Sequence, residues 1–354
     1  MAEICLGFVL LGVTAYAIFG GADFGAGFWD LTAGGAERGG RLRGMIQRSM
    51  APVWEANHVW LIFILVIFWT SFPVAFGSVF STLSIPLFGA AVGIIFRGTA
   101  FALRGQAATM REARALGGLF ALASVLIPFC FGAAIGGVAS GRVVVGNAAG
   151  DAISSWLNPT SIFIGVLGVV TGAHIAAVYL AGDSVRAGVP DMVRAFRTRA
   201  LASGVAAGGL AMAGLLVLNS DAPDLFDGLT SGKGLAMVAV SGVGGAATLG
   251  LIWFERYGLA RITAGVAVAA ITVGWVFAQD PYLLPPKLTL DEAAASDATL
   301  TALVIAVGVG MIILIPSLAF LYRLVLRGDL DQEFEPMDQR FRPLSAGNDR
   351  AAER

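Results

Sequence analysis

The chain has 354 residues and a formal net charge of −1; 57% of its residues are hydrophobic and only 13% are charged. An ordinary soluble domain has about 25% charged residues, so this composition excludes a soluble protein and indicates a membrane protein with several spans. The small net charge and the lack of a basic stripe with interleaved aromatic residues exclude nucleic-acid binding. Cys5 and Cys130 lie in apolar runs without zinc-ligand spacing, so we predict packed thiols.

Nine apolar runs near membrane-crossing length follow one another along the chain. The first run has no Lys or Arg before it and no small-residue cleavage site after it, so we interpret it as a retained span and not as a signal peptide. The sequence therefore predicts an all-α integral membrane protein with nine transmembrane helices within residues 1–327. The predicted spans 1 to 9 cover residues 4–28, 57–76, 78–96, 115–138, 160–181, 200–219, 234–253, 259–278 and 299–322.

The connections between the spans alternate in charge, which predicts the orientation. Of the 23 Lys and Arg residues, 20 lie in every second connection or after span 9, and the other connections hold only Arg142, Lys233 and Lys287. Because short loops rich in Lys and Arg stay in the cytoplasm, we predict that the N-terminus is outside and the C-terminus is cytoplasmic. The polar tail, residues 328–354, is predicted to be loosely ordered on the cytoplasmic side.

An internal repeat is suggested by two similar stretches. The stretch "GVTAYAIFGGAD" (12–23) and the stretch "GAHIAAVYLAGD" (172–183) share Gly, Ala and Asp at matching positions. Spans 1–4 and spans 5–8 also have the same predicted orientation. We therefore predict a pseudo-repeat of two related four-helix units, followed by span 9.

Polar residues gather where span 1 ends and span 2 begins. "GGADFGAG" places Asp23 at the inner end of span 1, and "PVWEANHVWL" places Glu55, Asn57 and His58 at the start of span 2. Glu55 and His58 are three residues apart, so they share a helical face and can exchange a proton. Each acid alone could equally cap a helix near the headgroups. Together, the titratable groups are typical of a proton entrance at the cytoplasmic mouth of a bundle.

Glycines around Asp23 predict a close helix contact. Gly21 and Gly25 form a small-xxx-small surface, which lets a neighbouring helix approach. Asp23 is then expected to face protein or water and to lie within reach of Glu55.

Three further residues have alternative interpretations. Arg97, at the predicted end of span 3, is either an anchor to the headgroups or a counter-charge to Asp23 or Glu55. Trp60 lies beside the polar cluster, which favours a functional role, whereas most other tryptophans fit an aromatic belt. His58 and His174 are the two histidines of the chain. A haem bound by both is sterically conceivable, but membrane histidines more often form hydrogen bonds within the bundle or relay protons.

Taken together, these stretches resemble subunit II of the cytochrome bd family of quinol oxidases. The resemblance implies a nine-helix subunit of two four-helix bundles and one extra helix, without haem. Its partner would be a homologous subunit I with haems b and d and the quinol-oxidising loop. The complex would oxidise quinol, reduce dioxygen to water and take protons from the cytoplasm. The matching pieces are "GGADFGAG", "PVWEANHVWL", "FRG", "LNP", "AQDPYLLP", "LTLDEAA" and "PSLAFLYR".

The resemblance also implies roles for individual residues. Glu55 matches the acid of the family's "WDGN" motif on the proton route, and Asp23 matches the acid of the span 1 motif. Trp60 matches a tryptophan near an oxygen path in some members. Some members also hold a structural quinone, and a small single-span accessory subunit is a further expected partner. Two departures, Glu in place of the motif Asp and His58 where many members have Glu or Gln, suggest a divergent branch with an altered proton path.

Two other functions are compatible with the residues themselves. A proton-coupled secondary transporter would place acids at the interface of two half-repeats, usually near the midplane, and no midplane carboxylate is evident here. A scaffold for subunit I would use the polar groups only to anchor helices. The expected location is the cytoplasmic, or inner, membrane of a prokaryote.

Overall fold

The computed structural model describes residues 1–50, 54–104 and 106–327. Within those ranges, nine helices are long and apolar enough to cross a membrane, which confirms the predicted all-α fold with nine spans. The chain is a multi-pass membrane protein. Spans 1 to 9 are Ala2–Leu31, Trp54–Ser71, Ser84–Arg104, Met110–Ala139, Pro159–Arg186, Pro190–Asp221, Gly232–Trp253, Tyr257–Gln279 and Asp297–Arg327.

Some of the predictions are not decided by this architecture. The pseudo-repeat, the two four-helix bundles and the domain limit at residue 327 stay predictions. Residues 51–53, which include the first two residues of the stretch "PVWEANHVWL", and the tail 328–354 lie outside the described residues.

Span 3 differs most from its predicted range of 78–96. Pro73 opens a separate short helix, Pro73–Thr82, because proline suits a first helical turn, where its missing N–H has no partner to lose. This helix is as apolar as a span, so hydropathy alone did not separate it. Span 3 therefore begins at Ser84 and ends at Arg104. Arg97 lies within span 3, and its side chain is 1% exposed; it is not an anchor at the headgroups.

Span 1 crosses span 5 at glycines. A Cβ atom on Gly25 would overlap the backbone oxygen of Gly172, and Gly21 lies against the Cα atom of the same residue. The close approach predicted at Gly21 and Gly25 is therefore confirmed, with span 5 as the neighbouring helix. On the adjoining side, Gly27 contacts Ser124 of span 4. The second half of span 1 is thus enclosed by spans 4 and 5.

The close crossing of spans 1 and 5 predicts that one added methyl group at Gly25 lowers the stability of the protein. We expect Gly25→Ala to destabilise the protein by about 1–3 kcal/mol, because the added Cβ must push two backbones apart. Gly208→Ala is the matched control, since nothing lies within 4 Å of a Cβ on that exposed helical glycine. The measurement is the thermal unfolding midpoint of the detergent-solubilised protein. Equal midpoints for the two variants would contradict the close crossing.

The two ends of the bundle are covered differently. At the end where spans 1, 3, 5 and 7 finish, here called the arginine-rich end, the helix Ala36–Met50 packs against spans 1 and 5. Its buried residues Leu42, Ile46 and Met50 join the core there. An exposed ion pair, Arg41 to Asp191 at 2.6 Å, links this helix to the start of span 6.

The opposite end, here called the far end, is covered in part by the connection between spans 8 and 9. A two-stranded antiparallel hairpin, Tyr282–Leu284 with Leu288–Thr289, packs Leu284 and Leu288 against the core that contains Phe72 and Leu83. The short helix Leu290–Ala293 follows, with a capping box between Thr289 and Glu292. The hydrogen bonds from Thr289 lower the pKa of the exposed Glu292 carboxyl. The far end of spans 1–4 is therefore capped mainly by apolar side chains.

Candidate functional site

A buried ion pair joins spans 1 and 3. Arg97 Nη2 lies 2.8 Å from Asp23 Oδ1, and each side chain is 1% exposed. Arg97 Nε also donates to Ser124 Oγ at 3.0 Å, and its guanidinium lies over the rings of Phe24 and Phe120, 5.1 and 4.9 Å from their centres. Arg97 is therefore the counter-charge of Asp23, one of the alternatives that the sequence left open.

Asp23 nevertheless keeps unused acceptor capacity. Although the contact with Arg97 is close, neither carboxylate oxygen has a described partner with hydrogen-bond geometry. Burial of an ionised carboxylate is costly unless it is paired and hydrogen-bonded. The pairing is thus electrostatic, and the oxygens are available to accept a hydrogen bond from water or a proton.

A second ion pair lies two helical turns away and was missed by the sequence reasoning. Asp30 Oδ2 is 2.7 Å from Arg104 Nη1, and Asp30 Oδ1 is 2.7 Å from Arg43 Nε. Asp30 follows Asp23 by seven residues and Arg104 follows Arg97 by seven, which is two turns on each helix. Spans 1 and 3 are therefore joined by two aspartate–arginine pairs with the same spacing on each helix. This shared spacing of two acids and two arginines was the signal that could have revealed Asp30.

His58 faces span 1 and meets a tyrosine that the sequence did not single out. The Tyr16 hydroxyl and His58 Nδ1 are 3.4 Å apart. The His58 ring also contacts the rings of Phe24 and Trp54, with centre distances of 6.3 and 6.4 Å. Phe24 also lies under the guanidinium of Arg97, so His58 and Arg97 share this aromatic ring as a contact. His58 is therefore a span 2 residue that contacts span 1 beside the buried pair.

Asn57 holds an irregular turn of span 1. Residues Tyr16–Gly20 form a π-helical turn, and Asn57 Nδ2 donates to the backbone oxygen of Phe19 within it at 3.2 Å. Tyr322 of span 9 donates from its hydroxyl to Asn57 Oδ1 at 3.4 Å. Its ring also stacks on Phe19 at 5.4 Å. Asn57 is thus a structural link among spans 1, 2 and 9.

Glu55 lies apart from the other predicted residues. Its side chain is exposed and forms no hydrogen bond or ion pair with the described residues. It continues an exposed stripe of span 2, formed by Val59, Ile62, Val66 and Trp69. Asp23 and Glu55, which were expected to lie within reach of each other, are therefore not in direct contact. Asp23 is buried, His58 is partly buried and Glu55 is exposed.

Trp60 and His174 lie in other surroundings. Trp60 is 9% exposed in a cluster with Phe24 and Ile127, and its Nε1 has no described hydrogen-bond partner; its role in an oxygen path stays a prediction. His174 Nδ1 lies 3.0 Å from the backbone oxygen of Ala200 in span 6. His58 contacts span 1 and His174 contacts span 6; the prediction that this chain binds no haem stays a prediction.

Two findings bear on metals and on the repeat. Among the described residues, no group of three His, Cys, Asp or Glu side chains could hold a metal ion.

Asp183, which matches Asp23 in the proposed repeat, also pairs with a guanidinium, that of Arg261. Arg261 belongs to span 8, whereas Arg97 belongs to span 3, so the two halves hold their acids differently.

These features define a class of protein: a multi-pass helical membrane protein with buried carboxylate–guanidinium pairs at one end and an exposed acid beside a histidine. The sequence profile of the family described as "Cytochrome bd terminal oxidase subunit II" matches residues 1–325. The chain therefore belongs to this family and takes part in an oxidoreductase complex. Membership of an oxidase subunit family disfavours the transporter alternative.

Two relatives show how far the similarity extends. A Bacillus subtilis (strain 168) protein described as "Putative cytochrome bd menaquinol oxidase subunit II" is 25% identical over 334 residues, which cover 92% of this chain and 94% of that protein. A chain in the structure of bd oxidase from Geobacillus thermodenitrificans is 27% identical, with a TM-score of 0.76. That match covers 91% of this chain and 98% of the other.

Proposed function

We propose that this chain is the subunit without haem of a bd-type quinol oxidase in a prokaryotic cytoplasmic membrane. A homologous subunit I binds haems b and d and oxidises quinol, and the complex reduces dioxygen to water. A structural quinone and a small accessory subunit are further components that the family resemblance suggests. The observation that carries the proposal is the family match over residues 1–325, supported by the similarity to the fold of a bd oxidase chain.

We further propose that the chain helps to carry protons from the cytoplasm to subunit I. In this proposal the arginine-rich end is cytoplasmic, in agreement with the positive-inside rule. Glu55 is an exposed acid in line with the apolar side chains of Val59 and Ile62. A carboxylate that faced lipid would be costly. We infer that subunit I covers this stripe and that Glu55 takes up protons where the two subunits meet.

His58 is the next proton carrier in this route. It follows Glu55 by three residues, and its ring reaches Tyr16 and Phe24 on span 1. Imidazole can accept and release a proton near neutral pH. The Asp23–Arg97 pair, which shares the Phe24 ring with His58 as a contact, adds a fixed electrostatic field near the imidazole, and Asn57 holds the adjoining turn of span 1.

The unequal ends of the bundle support uptake from one side. The hairpin at the far end packs the apolar side chains of Leu284 and Leu288 into the core. The titratable groups Glu55, His58 and Asp23 all lie in the half of the spans nearer the arginine-rich end. Protons would therefore be drawn from the arginine-rich side.

The location of the haems tests the proposal. The chain is expressed with and without its neighbouring membrane subunit, purified, and studied by reduced-minus-oxidised absorption spectra. We expect haem bands and quinol-driven oxygen consumption only when both subunits are present. Haem bands from this chain alone would contradict the proposal and would support ligation by its own histidines.

A further inference from the structure

The π-helical turn in span 1 forms a support for one side chain, Tyr16. A Cβ atom on Gly20 would lie 3.0 Å from the Tyr16 ring, so the glycine leaves room for that ring. Phe24 and Phe131 contact the ring edge-on, each with a centre distance of 5.9 Å. Tyr16 is 8% exposed. Its ring is therefore fixed on several sides, and its hydroxyl has a defined direction.

The turn also sets which way Tyr16 points relative to Asp23. An α-helix turns about 100° per residue, so one additional residue in a π turn rotates the two halves of span 1 against each other by about that angle. Such turns occur frequently at functional sites. Here Tyr16 is the first residue of the turn and reaches His58, while Asp23 follows the turn and reaches Arg97. An uninterrupted α-helix would not present both groups in these directions.

We propose that Tyr16, held by this π turn, is a positioning residue for His58; this inference rests on the proposed proton route. His58 Nδ1–H donates to the Tyr16 hydroxyl oxygen, which fixes the neutral tautomer and leaves Nε2 as the acceptor. Nε2 takes a proton that arrives through Glu55 and forms imidazolium. It then releases the same proton toward subunit I and returns to the neutral form. Tyr16 keeps its own proton throughout.

Other groups around the ring complete this arrangement. Phe24 contacts both the His58 ring, at a centre distance of 6.3 Å, and the guanidinium of Arg97, which lies 5.1 Å from its ring centre and pairs with Asp23. Asn57 donates to the Phe19 oxygen and so holds the turn that carries Tyr16. The distance of 3.4 Å between the Tyr16 hydroxyl oxygen and His58 Nδ1 is long for a hydrogen bond. Catalytic hydrogen bonds are often long in structures without substrate and shorten in the reacting complex.

The test is Tyr16→Phe in the assembled two-subunit oxidase, because phenylalanine keeps the ring contacts and removes only the hydroxyl. We expect the maximal rate of quinol-driven oxygen consumption to fall about two- to tenfold, the effect of one hydrogen bond, with an unchanged KM for quinol. His58→Gln should lower the rate further. Adding Tyr16→Phe to His58→Gln should cause no additional loss, because the hydroxyl acts only through the imidazole.

Two further variants separate positioning from simple structural damage. Tyr179→Phe is the matched control, since this tyrosine lies under Arg261 of span 8, and it should leave the rate unchanged. Asn57→Ala removes the donor to Phe19 and should lower the rate by a factor similar to that of Tyr16→Phe, again without further loss in the His58→Gln background. If the Tyr16→Phe complex fails to assemble, the Asn57→Ala variant still tests whether the turn that carries Tyr16 positions His58.

The outcomes distinguish this inference from the proposed function. A full rate in Tyr16→Phe, or losses that multiply with His58→Gln, would overturn the positioning role. If Glu55→Gln and His58→Gln lower the rate while Tyr16→Phe does not, only the inference about Tyr16 fails. If Glu55→Gln and His58→Gln both leave the rate unchanged, the proton route itself fails.

Discussion

Glu55→Gln is expected to lower quinol-driven oxygen consumption of the assembled oxidase by about 100-fold, the low end of the contribution of a group that transfers protons. Glutamine has nearly the same size and can form hydrogen bonds, but it cannot carry a proton. The measurement is oxygen uptake by the two-subunit complex in liposomes, together with the charge separation across the membrane. Both should fall in parallel, because the proposed route delivers the protons that the reaction consumes.

The choice of controls makes the Glu55 result specific. Glu255→Gln removes a carboxylate that is also exposed at the arginine-rich end, where it pairs with Arg197 at 3.3 Å, and it should leave the rate unchanged. Glu55→Asp keeps the acid and should retain a substantial part of the rate. Full oxygen uptake and charge separation by Glu55→Gln would show that Glu55 is not on the route. The interpretation of the chain as a scaffold for subunit I would then be the better one.

The positions of the spans could be predicted because hydropathy and charge act over long windows. Each span needs about 20 apolar residues to cross the hydrocarbon core, and most arginines lie in every second connection. The short helix Pro73–Thr82 has the same composition as a span, so the start of span 3 was misplaced. As a result, Arg97 was predicted at an end of span 3, whereas it lies buried within it.

The candidate site could be predicted only in part, for reasons that concern local geometry. The spacing of three residues placed Glu55 and His58 on neighbouring positions of span 2, but it did not show that Glu55 is exposed while His58 faces Tyr16. A π turn adds one residue to a helix without changing its composition, so the direction of Tyr16 could not be inferred. Asp30 was overlooked because it follows the apolar run, although its spacing from Asp23 matches that of Arg104 from Arg97.

The buried pair between Asp23 and Arg97 gives the second large prediction. We expect Arg97→Met to destabilise the protein by about 3–5 kcal/mol, because it leaves an uncompensated carboxylate in the core. Arg41→Met is the matched control, since Arg41 also pairs with an aspartate, Asp191, but the two side chains are 68% and 36% exposed. Its loss should cost less than about 1 kcal/mol. The unfolding midpoint of the purified complex measures the difference, and similar shifts for both variants would contradict it.

A double variant then separates the structural role of the pair from its proposed role beside His58. Asp23→Asn combined with Arg97→Met removes both charges, and most of the lost stability should return because no unpaired charge stays buried. If the pair only holds spans 1 and 3 together, oxygen consumption should return with stability. We expect stability to recover while the rate stays low, since the electrostatic field around the imidazole is lost. Recovery of both would assign Asp23 and Arg97 to the scaffold and leave Glu55 and His58 as the proton-carrying groups of this chain.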